Sequence, residues 1–574
     1  MRRDTLVCLC VSANLMLVMP ALGATAPDAG QVLQEQRQTP SHLPERLPGP
    51  EEQVAPSGPA AERGPTVVVK GFRFTGIQGV ATEAELERLL RDAVGREQSM
   101  AELQQLARRV TAYLHDKGYL LARAYLPQQD ITSGIVEIAV IAGRVEGAPE
   151  IRLQEPSRLR PGMVAAMVGS GARTGQAVQD KALERSLLLM NDLPGISAHA
   201  TLERGETPGT TRVVVDASEG PLLSGAVSAD NFGNRFTGAW RATAQAAAND
   251  PLGLGDQLSV SATGAEHLAS GQVDYQLPVG TSGLQAGLSY TGLSYELGKE
   301  FSALDAEGRA DTVGLRTSYP YVRSRAFSLW QSVSYEYRSL EDKTAGVETS
   351  DRDVNVGGTA ITASTYDHAG GGGLTSLRAG VKVGHLRLEN VGDAAADDAG
   401  PQAAGGFFTF SYSVARLQRL SEDFSLFGSA SGQLANGNLD SSEKFLLGGP
   451  SGVRAYPVGE GAGDEGHGFT LELRYDVPRR ASWGNLQLVG FYDAGNVTLH
   501  AKPWENSVST ATGKNSYWIS GGGLGVNLDK PGRYAVRASW AAPVGDNPGR
   551  GISGQDADNK SADNRFWLQG IFWF

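Results

Sequence analysis

The sequence predicts an exported chain of small α+β units followed by an all-β transmembrane barrel of about 16 antiparallel strands. Three observations predict it. A basic and then apolar leader opens the chain, no later segment stays apolar for the length a spanning helix needs, and short runs of strict apolar-polar alternation recur from residue 220 to the terminal Phe574. In lipid only helices and closed barrels satisfy their own backbone, so a membrane domain in this chain has to be a barrel.

The leader is residues 1–26. Arg2 and Arg3 precede the apolar run Leu6 to Val18, and Ala21, Gly23, Ala24 and Ala26 supply small residues for cleavage. That run is short for an uncleaved anchor. Both cysteines, Cys8 and Cys10, lie inside it, and too little apolar sequence precedes Cys8 for a lipoprotein signal. The rest of the chain therefore has no thiol for a disulfide or a metal, which suits a bacterial envelope protein. A formal charge of −12 argues against a nucleic-acid partner, which needs a basic face.

Residues 27–46 open with a short helix: Asp28 stands as N-cap, Gln31 follows at capping-box spacing, and Pro40 is the expected stop. Residues 47–65, rich in Pro, Glu, Gly and Ala, read as a semi-extended linker. Residues 66–143 predict the order β-α-α-β-β. A strand pattern starts at Thr66, Thr82/Glu85 and Ser99/Glu102 are capping boxes, and strands follow near Leu121–Leu126 and Ile135–Ile141. A second copy of that order runs over residues 144–219, with Pro161 at the first turn of one helix and Pro194-Gly195 ending the other.

From 220 to 574 the period is two. Phe469, Leu471 and Leu473 alternate with Thr470, Glu472 and Arg474; Phe408, Phe410 and Tyr412 with Thr409 and Ser411; Tyr534, Val536 and Trp540 lie on one face of another strand. One face meets lipid and the other water. Sixteen strands leave about 22 residues for each strand and its connection, room for strands of roughly ten residues and long loops, and fourteen or eighteen strands would fit nearly as well.

Three stretches carry a family resemblance. Tyr113-Leu114-His115-Asp116-Lys117-Gly118-Tyr119 precedes Ala124-Tyr125-Leu126-Pro127 and Gly134-Ile135-Val136-Glu137-Ile138; Gly448 to Tyr456 contains Val453-Arg454-Ala455-Tyr456; and Phe491-Tyr492-Asp493-Ala494-Gly495 has the form FxDxG. Together, in this order, they resemble the two-partner secretion transporters, the TpsB family of haemolysin and filamentous-haemagglutinin secretion proteins. The resemblance spans nearly the whole chain. It implies two polypeptide-transport-associated (POTRA) domains at 66–143 and 144–219, a barrel at 220–574 in the outer membrane of a Gram-negative bacterium, and a plug helix at 27–46. It implies as partners a secreted TpsA-type exoprotein with an N-terminal secretion domain, outer-membrane lipid, and periplasmic chaperones and barrel-assembly machinery during biogenesis. Activation of a haemolysin or adhesin client is a further implication, and an outer-membrane assembly or insertase factor is the alternative. One departure is Ala455, where many relatives carry Gly.

The same residues support a site without the resemblance. Phe491 and Asp493 share strand parity with Gln487, opposite to Leu486, Leu488 and Tyr492, which sends Asp493 into the lumen. A carboxylate there needs a partner, and the planar fork of Arg454 suits it. Arg454, Tyr456 and Asp493 form the expected loop-to-barrel latch, with Val453, Phe491 and Gly495 in support. The Gly-rich run Gly459 to Gly466 is followed by a strand and has no Lys-Ser/Thr pair, so it is loop and not a nucleotide site. The eight His show no metal-ligand spacing and no nucleophile-base pair is legible. No enzyme activity, cofactor or metal is expected.

Overall fold

The computed structural model describes residues 26–38, 66–478, 482–561 and 563–574. The expected signal peptide apart from Ala26, the N-terminal segment beyond Gln38 and the linker lie outside the described residues. Helix α1, Ala29–Arg37, starts where its cap predicts: the Asp28 carboxylate accepts from the Gln31 N–H at 2.8 Å.

Two α+β units follow. In the first, α2 (Glu83–Leu90) and α3 (Met100–Asp116) carry both expected capping boxes. Leu86, Leu90, Leu103, Val110 and Leu114 pack against Val136 and Ile138 of the strand Ile135–Ile141. The single strand expected from Thr66 is two strands. Thr66–Val68 pairs antiparallel with Glu97–Ser99, whereas Gly71–Thr75 runs parallel to Ile135–Ile141. The break is local: Val69 N donates to Arg96 O at 3.1 Å and Lys70 N to Gly134 O at 2.7 Å, so consecutive amides are claimed by different partners.

In the second unit, Arg144–Val145 and Glu150–Leu153 precede α4 (Pro161–Gly171) and α5 (Asp180–Asn191). Thr210–Glu219 then lies between Glu150–Leu153, parallel, and Ile196–Arg204, antiparallel.

Among the described residues, sixteen antiparallel strands close into a ring. They are β1 (Leu223–Asp230), β2 (Arg241–Asn249), β3 (Gln257–Ala265), β4 (Leu268–Val279), β5 (Leu284–Glu296), β6 (Ala306–Arg323), β7 (Phe327–Thr344) and β8 (Val347–Asp367). The second half is β9 (Gly373–Leu388), β10 (Gly405–Arg419), β11 (Phe424–Ala435), β12 (Glu465–Asp476), β13 (Asn485–Thr498), β14 (Ser516–Lys530), β15 (Tyr534–Pro543) and β16 (Arg565–Trp573). Closure is made by β1 against β16, from Ala226 opposite Trp573 to Asp230 opposite Gln569. The alternation has the predicted meaning: Leu471 and Leu473 are exposed on the outside, and Glu472 and Arg474 between and beside them are buried inside. No described helix is long and apolar enough to cross a membrane.

The second α+β unit abuts one end of the ring. Asp192 accepts two hydrogen bonds from Arg323, at 2.7 and 2.8 Å; Arg185 donates to Pro320 O at 2.6 Å and Arg158 to Asp250 O at 3.3 Å. This end, at the start of β7, is the one nearest the N-terminal units; the far rim is reached near Asp342 and Arg352.

Candidate functional site

The loop between β11 and β12 folds back into the lumen, and its own backbone keeps it compact. Gly448 N donates to Glu460 O at 2.8 Å, Val453 N to Leu447 O at 2.8 Å and Gly449 N to Tyr456 O at 3.2 Å. Apolar side chains then glue it to the wall: Leu447, Val453, Ala455 and Tyr456 pack with Val489, Phe491, Ile519 and Ala541.

Arg454 lies where this loop meets β12 and β13. Its Nε donates to Asp493 Oδ2 at 2.7 Å, a terminal nitrogen donates to Asp493 Oδ1 at 2.8 Å, and its backbone N–H donates to Oδ2 at 3.2 Å. The guanidinium sits 3.5 Å from the ring centroid of Phe491. Asp493 is fully buried and also accepts from Thr470 Oγ1 at 3.0 Å. Strand register explains the geometry: Thr470 is opposite Asp493 and Glu472 opposite Phe491, so all four side chains share the inner face.

The structure thus brings Arg454, Asp493 and Phe491 together, with Val453 in the same apolar cluster. Gly495 admits the loop, because a Cβ there would run into Leu447 and lie 2.6 Å from His467 O. Tyr456 is buried in that cluster, but its hydroxyl is buried without a hydrogen-bond partner and makes no bond to Arg454 or Asp493.

Two parts of the site escaped the sequence reading. Glu472 accepts from Arg454 at 2.8 Å and from Arg474 Nε at 2.9 Å, giving Arg454 a second carboxylate. Trp567 Nε1 donates to Arg454 O at 2.7 Å from β16. The parity of Glu472 against Leu471 and Leu473 was a usable signal; nothing local marked Trp567.

A second constellation seats α1 in the lumen. Arg352 holds Asp28 at 3.0 Å, Asp342 at 2.7 Å and Asp440 at 2.8 Å. Ala29 N donates to Asp342 Oδ1 at 2.9 Å, Asn234 Nδ2 donates to Glu35 at 3.0 Å, and Arg37 pairs with Glu336 at 3.1 Å. Between these polar ends Ala29, Val32 and Leu33 pack against Leu268, Leu293, Tyr295 and Leu340. The short helical turn Ser441–Glu443, just ahead of the loop, touches α1: Ser441 Oγ donates to Asp28 at 2.8 Å. Among the described residues no group of three or more His, Cys, Asp or Glu is placed to hold a metal ion.

Comparison with known proteins gives a consistent result. Residues 209–528 match the family model described as haemolysin secretion/activation protein ShlB/FhaC/HecB, and residues 67–143 match that of the POTRA domain, ShlB-type. The heme/hemopexin transporter protein HuxB of Haemophilus influenzae is 30% identical over 517 residues, covering 87% of this chain and 85% of its own length. The outer membrane transporter CdiB of Dickeya dadantii is 24% identical over 493 residues, covering 82% of this chain and 81% of its own. The solved structure of CdiB from Escherichia coli has the same fold, with a TM-score of 0.72 at 20% identity over 95% of this chain and 96% of that one.

Proposed function

This chain belongs to the haemolysin secretion/activation protein family (ShlB/FhaC/HecB), outer-membrane transporters of two-partner secretion, and on that footing we propose that it captures an unfolded exoprotein in the periplasm and passes it outward through its own barrel. The client is a TpsA-type exoprotein engaged through its N-terminal secretion domain. Capture falls to the POTRA units at 66–143 and 144–219, whose sheet edges accept an added strand through main-chain hydrogen bonds with little demand on sequence. Periplasmic chaperones and the barrel-assembly machinery serve the chain's own biogenesis.

The observation that carries this reading is the seating of α1 inside the ring. A nine-residue helix held by polar contacts and by the side chains of Ala29, Val32 and Leu33 is a removable stopper, and the linker expected from the sequence at 47–65 supplies the reach to leave. Arg454 and Asp493, with Tyr456 in support, act as the latch that holds the re-entrant loop at the wall during passage. Export proceeds without nucleotide hydrolysis, driven by client folding outside the cell and biased diffusion.

The neighbouring reading frame is expected to encode a very large secreted β-helical repeat protein. Deleting residues 66–143 is then expected to abolish its capture by the purified chain and its appearance outside cells. Capture that persists without those residues overturns the reading.

A further inference from the structure

Beside the seated α1 the lumen contains a cavity of about 640 Å³, bounded on one side by Leu33 and Arg37 and on the other by the inner wall of β3 to β7. That wall is a ladder of small neutral hydrogen-bonding groups. Ser261 is opposite Gln272, Gln272 opposite Thr291, and Thr291 opposite Thr312, so four adjacent strands present them in one row. The residues between them, Val273, Tyr290 and Val313, face out and are exposed.

Thr312 is 4% exposed and lines this cavity, and its hydroxyl is buried with no hydrogen-bond partner. A buried hydroxyl left unbonded is costly, so it points to something that visits the cavity. The charges at the cavity are already committed: Arg37 to Glu336 at 3.1 Å, Arg316 to Asp274 at 2.7 Å and Lys382 to Glu443 at 2.9 Å. What the wall offers a visitor is hydroxyls and an amide, each able to donate and accept.

An extended polypeptide presents N–H and C=O groups along its length, each needing a partner wherever it leaves bulk water. Neutral hydroxyls satisfy both kinds and exchange readily, without the deep trap that a bare charge or a large apolar pocket would make. From Thr312 to Arg316 the wall runs for roughly 13 Å, enough for about four extended residues. Toward the far rim the cavity is closed by Val32 and Leu33 against Leu268, Leu293 and Leu340. We propose that this cavity is an entry subsite for an extended segment of unfolded polypeptide, bound through its main chain along the β3–β7 wall while α1 is still seated. The subsite rests on the secretion reading above and adds where the client first engages the lumen.

The test uses the chain after removal of its leader, and so without Cys8 and Cys10, in detergent micelles with one cysteine introduced: Thr312→Cys, Thr291→Cys or, as control, Ile519→Cys, an inward position covered by the re-entrant loop. Ser334→Cys replaces any variant that fails to fold. The probe is a twelve-residue peptide of Gly, Ser and Asn ending in an aryl disulfide. The cysteine thiolate attacks the peptide sulfur, a new disulfide forms and the aryl thiolate leaves. Positions 291 and 312 are expected to react at least tenfold faster than 519 with α1 present. Equal rates overturn the proposal, as does reaction at 312 only after residues 26–38 are deleted, or reaction there with a small neutral disulfide but not with the peptide. Export that continues when the labelling pattern is absent leaves the secretion reading intact and sinks the subsite alone; a chain that forms no pore in planar bilayers sinks both.

Discussion

Arg454 and Asp493, 39 residues apart in the chain, are joined by three hydrogen bonds, two from the guanidinium and one from the arginine's own backbone N–H. The backbone contact matters because it survives replacement of the side chain. A variant at 454 therefore tests the charge and the fork, and leaves part of the loop's attachment in place.

Arg454→Ala leaves Asp493 and Glu472 buried without their shared cation, a loss of about 3–5 kcal/mol of local stability. Secretion is expected to fall while heat-modifiable folded barrel is still recovered. Arg454→Lys keeps the charge but cannot bridge two carboxylates with a planar fork, so it is expected to restore only part of the export. Export at the parental level with Arg454→Ala would remove the latch from the mechanism.

Gly30 on α1 faces the turn Ser441–Glu443, and a Cβ there would run into Ser441 Oγ and lie 2.8 Å from Ser442 N. Gly30→Ala is expected to weaken seating of α1 by about 1–3 kcal/mol, the range for overpacked contacts. In planar bilayers this appears as a larger open fraction, and truncating Ser441 to Gly in the same chain recovers part of the closure. A closed fraction equal to that of the parent would show that α1 does not seat on this turn.

Gly521 on β14 supports the loop in the same way. A Cβ at 521 would strike the Ala455 Cβ and lie 2.9 Å from Ala542 O. Gly521→Ala is expected to displace the loop tip and reduce folded yield, with Ala455→Gly giving partial rescue; absence of any coupling between the two changes would contradict the contact. The departure at Ala455 is thus accommodated at the wall the loop packs on, where Gly521, opposite Asp493, has no side chain.

In the first periplasmic unit, Glu85 is held at about 2 by the Thr82 backbone N–H, by Lys117 and by the Thr82 hydroxyl. Its folded value is depressed, so its contribution to stability is present above the unfolded carboxylate range and is lost as pH falls from about 4.5 toward 2. Thermal unfolding of the full chain followed across that window is expected to show the loss in the periplasmic transition. Glu85→Gln should flatten it, and an unchanged acid slope in that variant would assign the effect elsewhere.

What the sequence determined by itself was everything that depends on near neighbours. Capping boxes at Thr82 and Ser99 and the cap at Asp28 set helix starts, because a side chain three residues away satisfies the orphan amides. Period-two alternation decided which side chains look into the lumen, Asp493 among them, because successive residues of a strand point to opposite faces. Only the tertiary structure decided which of those inward groups meet. Glu472 joins Arg454 through the register of β12 on β13, and Trp567 reaches it once β16 closes on β1. Arg338 finds Glu443 on the turn beneath α1, and Arg352 gathers carboxylates from α1, β7 and that turn. Parity is a local property of the chain, whereas register and closure are settled by the hydrogen-bond ladder as a whole, so the occupants of a lumen are known only when the ring is shut.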